Sequence, residues 1–252
     1  MRSSPLVVAV AAFHSSGRTL AAMPAAHKLN WKKDVVYLYQ FPRSPVVPNL
    51  SPYCLKVETF LRIKQIKHEI VETYTKKQRS QEVESFDELI DRHRDNLSPP
   101  DRGVARAIDR MLDGSTLHAL QQDRLVKNPH QFASRAVSGI PLPAFITNRI
   151  GERLAKIMGS RMRRNLGGFT PDQIKEVLRR DLEAIDDVIG EKRFLFGEVP
   201  TATDCSVFGH IASSYYLPYR QAVSDYIDDD FGHLKAFLFR MRAHYYPEWK
   251  DE

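Results

Sequence analysis

Between Val35 and Phe41 the chain reads Val-Val-Tyr-Leu-Tyr-Gln-Phe, a β-branched and aromatic run with almost no polar alternation. A strand buried on both faces of a parallel sheet needs such a run. Prolines at 42, 45, 48 and 52 then punctuate a loop. Ser51 and Pro52 together read as a helix start. A serine side chain can accept a free N–H of the first turn, and a proline in the first helical position leaves no N–H unsatisfied. Behind them Cys54, Val57 and Leu61 keep one apolar face, with Leu55 and Phe60 beside it. His68 to Glu72 reads as a short second strand. Strand, helix and strand within about 40 residues form a right-handed βαβ unit.

Thr73 to Glu84 is polar and charged, and beyond it every periodic segment is helical. Ser85-Phe86-Asp87-Glu88 has a Ser-x-x-Glu capping box ahead of Leu89 and Ile90. Ser98-Pro99-Pro100-Asp101 opens another helix, whose stripe of Val104, Ile108, Met111 and Leu112 predicts a stop at Gly114. Gly139 to Pro143 reads as a break. Thr170-Pro171-Asp172-Gln173 caps the clearest helix, with a stripe of Ile174, Val177, Leu178, Leu182, Ile185, Val188 and Ile189 closed by Gly190. A further helix begins at Thr201, and the last runs through Leu234, Phe237, Leu238 and Met241.

Composition narrows the class. A chain of 252 residues holds one large or two small domains, and 42% apolar residues suffice for a core. No apolar run has the length of a membrane span. The net charge of +6 comes without a nucleic-acid-binding motif, so it reads as solvated helix faces and no nucleic-acid partner is expected. Cys54 and Cys205 form neither a zinc spacing nor a disulfide framework, which suits a reducing compartment such as the cytoplasm. Residues 1–31 stand apart: no Asp or Glu precedes Asp34, and Leu6 to Phe13 is apolar. They read as a disordered tail, or else a targeting extension of secretory or mitochondrial type. The expected organisation is an extension over 1–31, an N-terminal domain over 32–84 and a helical domain over 85–252.

Two constellations bear on chemistry. Ser51-Pro52-Tyr53-Cys54 sits where a helix N-terminus offers free N–H groups and the positive end of its dipole. A hydroxyl there can donate to a bound thiolate, and it can equally be only a cap. Thr201 and Asp204 make a Thr-x-x-Asp box after Phe194-Leu195-Phe196-Gly197, opening an apolar helix with Val207, Phe208 and Ile211. Asp204 is therefore read as structural rather than as a general base. His210, His233 and His244 have no carboxylate or cysteine at ligand spacing, so no metal site is expected. Arg161, Arg163 and Arg164 form a basic cluster beside Gly167-Gly168, read as a solvated loop or as a contact with an anionic lipid surface or an acidic partner.

Ser-Pro-Tyr-Cys at the head of the βαβ helix resembles the Cys-Pro-Tyr-Cys pattern of glutaredoxins and glutathione transferases, with Ser51 in place of the first cysteine. The Thr-x-x-Asp box resembles that of the transferase C-terminal domain. More closely, Gln40-Phe41-Pro42, Pro48 to Lys56 and Asp204 to His210 resemble the failed axon connections proteins, relatives of the metaxins and of nematode cadmium-responsive proteins. The resemblance spans roughly Lys32 to Trp249. It implies a thioredoxin-like domain followed by a helical bundle, and a glutathione site of which Ser51, Tyr53 and Cys54 are the remnant. Such a site requires a cis-proline before the third strand. Yet no proline stands between Pro52 and Pro99, and no glycine between Gly17 and Gly103. Glu72 to Glu84 is too short for two strands of about 5 residues, a turn and a connection. The fold class is therefore α+β to mostly α: a truncated thioredoxin-like βαβ half lacking its ββ hairpin, plus an all-helical transferase-like C-terminal domain. Two parallel strands leave an unpaired edge, so the N-terminal half must lean on the helical domain. The function implied is non-catalytic, through protein or membrane contacts in axon development or stress response, with no cofactor and with a dimer admissible. The alternatives are a glutathione transferase using Ser51, and a metaxin-like import component at the mitochondrial outer membrane.

Overall fold

The computed structural model describes residues 7–9, 32–73 and 86–249. Three parallel strands, β1 (Val7–Ala9), β2 (Val36–Gln40) and β3 (His68–Glu72), form one sheet in the order β1-β2-β3. Val7 lies opposite Tyr37, and Val36 opposite His68. The expectation of a two-stranded sheet is thus corrected to three strands. Three residues of the 1–31 extension pair along the other edge of β2, so β2 is the central strand. All five of its residues are buried, the burial that its unbroken apolar run predicts.

Helix α1 (Pro52–Ile63) joins β2 to β3. Its residues Val57, Phe60 and Leu61 pack with Val36 and Leu38 on one face of the sheet, while Tyr37 and Tyr39 lie on the other with Val35 and Val71. Helix α2 (Phe86–Arg92) puts Leu89 into the same layer as α1. Residues 74–85, the span judged too short for the hairpin, lie outside the described residues, as does Ser85 of the expected capping box.

Helix α3 (Pro99–Met111) starts at Ser98, whose side chain accepts the Asp101 N–H. The expected stop at Gly114 is corrected: the rod runs on through a π-helical turn at Leu112–Thr116, α4 (Leu117–Gln121) and a second π turn at Gln122–Lys127. Each π turn inserts a residue and rotates the face that follows. The apolar side continues as Leu117 and Leu120 instead of ending. Val104, expected inward, is 39% exposed, and Ala105, Ile108 and Leu112 take the inward positions.

Two short helices, α5 (Pro129–Ala133) and α6 (Arg135–Ser138), end at Gly139, whose φ of 70° is the left-handed stop expected of a glycine. The long α7 (Ala144–Asn165) and α8 (Pro171–Ile189) follow. Thr170 and Gln173 form the reciprocal capping box of α8. Then come α9 (Ala202–Tyr215), α10 (Ala222–Asp229) and α11 (Gly232–Tyr245).

Helix α9 is buried from Ala202 through Ser214, as a helix at the centre of a bundle must be. Leu178, Leu182, Ile185 and Ile189 of α8 meet Val207, Phe208 and Ile211 of α9, with Leu234, Phe237, Leu238 and Met241 of α11 closing the layer. Leu55 of α1 belongs to this core as well. The two halves therefore share one hydrophobic interior across the α1–α9 contact. The architecture is a truncated thioredoxin-like half fused to a helical transferase-type bundle.

Candidate functional site at the head of the first helix

The loop that delivers α1 is closed by a buried asparagine. Asn49 Nδ2 donates to Phe41 O at 2.8 Å, and its Oδ1 accepts the Ser51 N–H at 2.9 Å. Ser51 is extended and its Oγ accepts the Cys54 N–H at 3.5 Å, while Ser51 O accepts the Leu55 N–H at 3.0 Å. Ser51 retains 7% of its surface and Cys54 none. Burial pushes the Cys54 thiol up to about 11, outweighing the hydrogen bond from Ser51. Cys205 is equally enclosed, and burial raises its thiol as well.

Neither sulfur is poised as a thiolate at neutral pH. A disulfide reagent should label no thiol in the folded chain and both after unfolding. Rapid labelling of Cys54 under native conditions would contradict this packing. The sign of the linkage follows. A neutral Cys54 stabilises the fold fully below its ordinary value of 9.0, and that contribution is lost as pH rises toward 11.

Tyr53 points elsewhere. Its ring meets that of His210 edge-on, with centroids 5.5 Å apart. Burial first, then the nearby Asp113 carboxylate, push the phenol up to about 12. His210 is buried. Its Nδ1 donates to Ser206 O at 2.8 Å, and its Nε2 lies 3.4 Å from Asp113 Oδ1. Burial works to raise the Asp113 carboxyl, but His210, Lys56 and Arg110 together hold it below the usual carboxylate range. Sequence spacing gave no sign of this pairing, because Asp113 stands in the π turn of a different helix. Among the described residues no group of three His, Cys, Asp or Glu side chains could hold a metal ion.

Asp204 faces backbone. Its Oδ2 accepts the Thr201 N–H and hydroxyl, each at 2.7 Å, and its Oδ1 accepts the Leu195 N–H at 2.9 Å. Burial raises its carboxyl against those three donors. Asp95, which sequence reasoning passed over, completes the junction. Its Oδ2 accepts the Ala202 N–H at 2.7 Å while its Oδ1 pairs with Lys64 at the end of α1, also at 2.7 Å.

A second missed group lies on the far side of α1. Glu58 is fully buried, and Arg43 grips it with two hydrogen bonds of 2.7 and 3.0 Å. Arg62 Nε and Nη2 both donate to Glu58 Oε1, at 3.0 and 2.9 Å. Arg62 also donates to Tyr245 O at 2.7 Å and lies 4.2 Å above the Tyr246 ring. An i, i+4 Glu–Arg pair in a sequence normally marks a solvated helix face. Here the loop from β2 and the end of α11 cover it.

Residues 178–241, from α8 through most of α11, match the glutathione S-transferase C-terminal domain family. A glutathione S-transferase of Ceriporiopsis subvermispora, solved in complex with glutathione, shares the fold with a TM-score of 0.50. The identity is 13%, over 86% of this chain and 98% of that one. Residues 178–241 thus carry a glutathione-transferase C-terminal sequence, and the chain as a whole has the transferase fold. Failed axon connections of Drosophila melanogaster is 28% identical over 89% of this chain and 61% of its own length. Metaxin-2 of Mus musculus is 30% identical over 86 residues, covering 33% of this chain and 32% of its own. The chain is thus similar to failed axon connections over most of its length and to Metaxin-2 over a third of it, and it spans about three-fifths of the length of the Drosophila relative.

Proposed function

We propose that this chain is a non-catalytic transferase-fold protein of the failed axon connections type, acting through contacts with proteins or a membrane surface in axon development or stress response. One observation carries the reading: the head of α1 is closed. A transferase of this fold needs a hydroxyl free to face the sulfur of glutathione and a helix N-terminus open to it. Here Ser51 Oγ accepts the Cys54 N–H and only 7% of the residue is exposed, so it is burial, not the cap, that withholds its O–H from a ligand. These residues do not fit glutathione in the manner of an active enzyme. The absence of any proline between Pro52 and Pro99 supports the same reading, since no cis-proline can pair with the tripeptide backbone.

The test is turnover of a general electrophile with glutathione, wild type against Ser51→Ala. No conjugation is expected from either protein. Ser51→Ala should cost only a helix cap, about 1 kcal/mol. Conjugation that Ser51→Ala abolishes would promote the enzyme reading. The Metaxin-2 match favours a second reading, an import or sorting component at the mitochondrial outer membrane. Targeting of a reporter by residues 1–31 separates the two. Among the described residues no helix is long and apolar enough to cross a membrane.

A further inference from the structure

Helix α7 is at odds with the rest of the bundle. In its 22 residues only Thr147, Gly151, Met158 and Met162 are buried. Its outer face carries Arg149, Arg153, Lys156, Arg163 and Arg164, all exposed. Glu152 is the only carboxylate between Asp123 and Asp172, and it lies 3.2 Å from His130. The contrast with α8 is direct. There Lys175 pairs with Asp172, Arg179 with Glu183 and Arg180 with Glu176, so its exposed face is internally neutralised. Among the described residues none of these five cations pairs with a carboxylate; Arg161, the sixth cation of α7, is half-buried and lies off this face. The helix thus holds a large part of the net charge of +6 in one line.

The same line begins with apolar surface. Phe145 is 67% exposed, and Leu142 just before the helix is 41% exposed. At 3.6 residues per turn, Phe145, Arg149, Arg153, Lys156 and Arg163 fall on one side of the cylinder, a row roughly 27 Å long. Ile157, 39% exposed, borders it. A basic row tipped by an aromatic and a leucine is the pattern of a helix that lies on an anionic leaflet. An acidic protein would answer the cations but leave Phe145 and Leu142 without a reason to face water.

We propose that the outer face of α7 docks this protein on an anionic phospholipid surface, with the five cations over the headgroups and Leu142 and Phe145 entering the interface. The proposal rests on the reading of the chain as a contact protein and names the contact. Each cation held near such a leaflet contributes roughly a fivefold gain in partition, which high salt removes.

The experiment is co-sedimentation of the full chain with vesicles. One set is phosphatidylcholine with roughly one-third phosphatidylserine, the other phosphatidylcholine alone. The expected result is salt-sensitive binding to the first set only. Arg149→Glu, Arg153→Glu and Lys156→Glu combined should lower that partition about a hundredfold or more. Phe145→Ser should lower it several-fold and leave the salt dependence intact. All four side chains are exposed, so thermal unfolding should be unchanged and serves as the folding control. Equal binding to both vesicle sets, no binding to either, or unimpaired binding by the triple variant would overturn the proposal. Capture of the chain by polyglutamate in preference to the phosphatidylserine vesicles would also overturn it and assign the face to an acidic protein. Glutathione turnover bears only on the non-catalytic reading, so the two failures are distinguishable.

Discussion

Gly209→Ala is expected to destabilise the protein by about 3 kcal/mol, at the top of the range for overpacking. A Cβ on Gly209 would lie 2.6 Å from Lys56 N, 2.7 Å from Pro52 O and 2.8 Å from Lys56 Cα. All three are backbone atoms of α1, so no side chain can swing aside. Either α1 must move off α9 or α9 must shift within a bundle that buries it on every side. The movement would disturb Leu55 and Phe208, which share the core at this crossing. For a chain of this size the loss corresponds to roughly 10 °C in thermal unfolding. Gly103→Ala is the internal control. Nothing lies within 4 Å of its added Cβ, and on an exposed helix position it should stabilise by about 0.5–1 kcal/mol. Equal midpoints for the two variants would mean that the α1–α9 contact is not as close as described.

Glu58→Ala is the second large effect. Removing one partner of a buried ion pair costs about 3–5 kcal/mol, because the charge left behind has lost its counterion. The stranded cations are not deeply buried here: the Arg43 and Arg62 side chains keep 37% and 21% of their surface. Hydration relieves part of the penalty, which places the expectation near the lower end, about 3 kcal/mol. Arg62 would still hold Tyr245 O and Glu248. The readout is the urea midpoint, together with a double-mutant cycle against Arg43→Met. Near-additivity of the two substitutions, or a loss below about 1 kcal/mol, would show that the pair behaves as an exposed one.

The parts of this architecture that were legible in sequence are those encoded locally. Ser51, Ser98, Thr170 with Gln173, and Thr201 each announce a helix start, because a cap is a contact between residues two or three apart. The run from Val35 to Phe41 announces a buried strand for a similar reason. What escaped depends on contacts across the chain. Gly209 carries no local signal of the α1 backbone that packs against it. Glu58 reads as a surface residue until the β2 loop brings Arg43 over it. His210 has no acidic neighbour in sequence, and only the π turn at Leu112–Thr116 places Asp113 at its Nε2. That turn also defeated the expectation of a stop at Gly114, because periodicity at 3.6 residues cannot register a one-residue insertion. The pairing of Val7–Ala9 with β2 was hidden by brevity, since three apolar residues in an alanine-rich stretch carry no strand signal of their own.

The central claim is that the head of α1 serves as a structural cap and not as a binding site, and titration calorimetry with glutathione tests it most directly. With Ser51 buried and its Oγ accepting the Cys54 N–H, no saturable heat is expected at millimolar glutathione for wild type or for Ser51→Ala. A saturable isotherm for the wild type that Ser51→Ala removes would contradict the account.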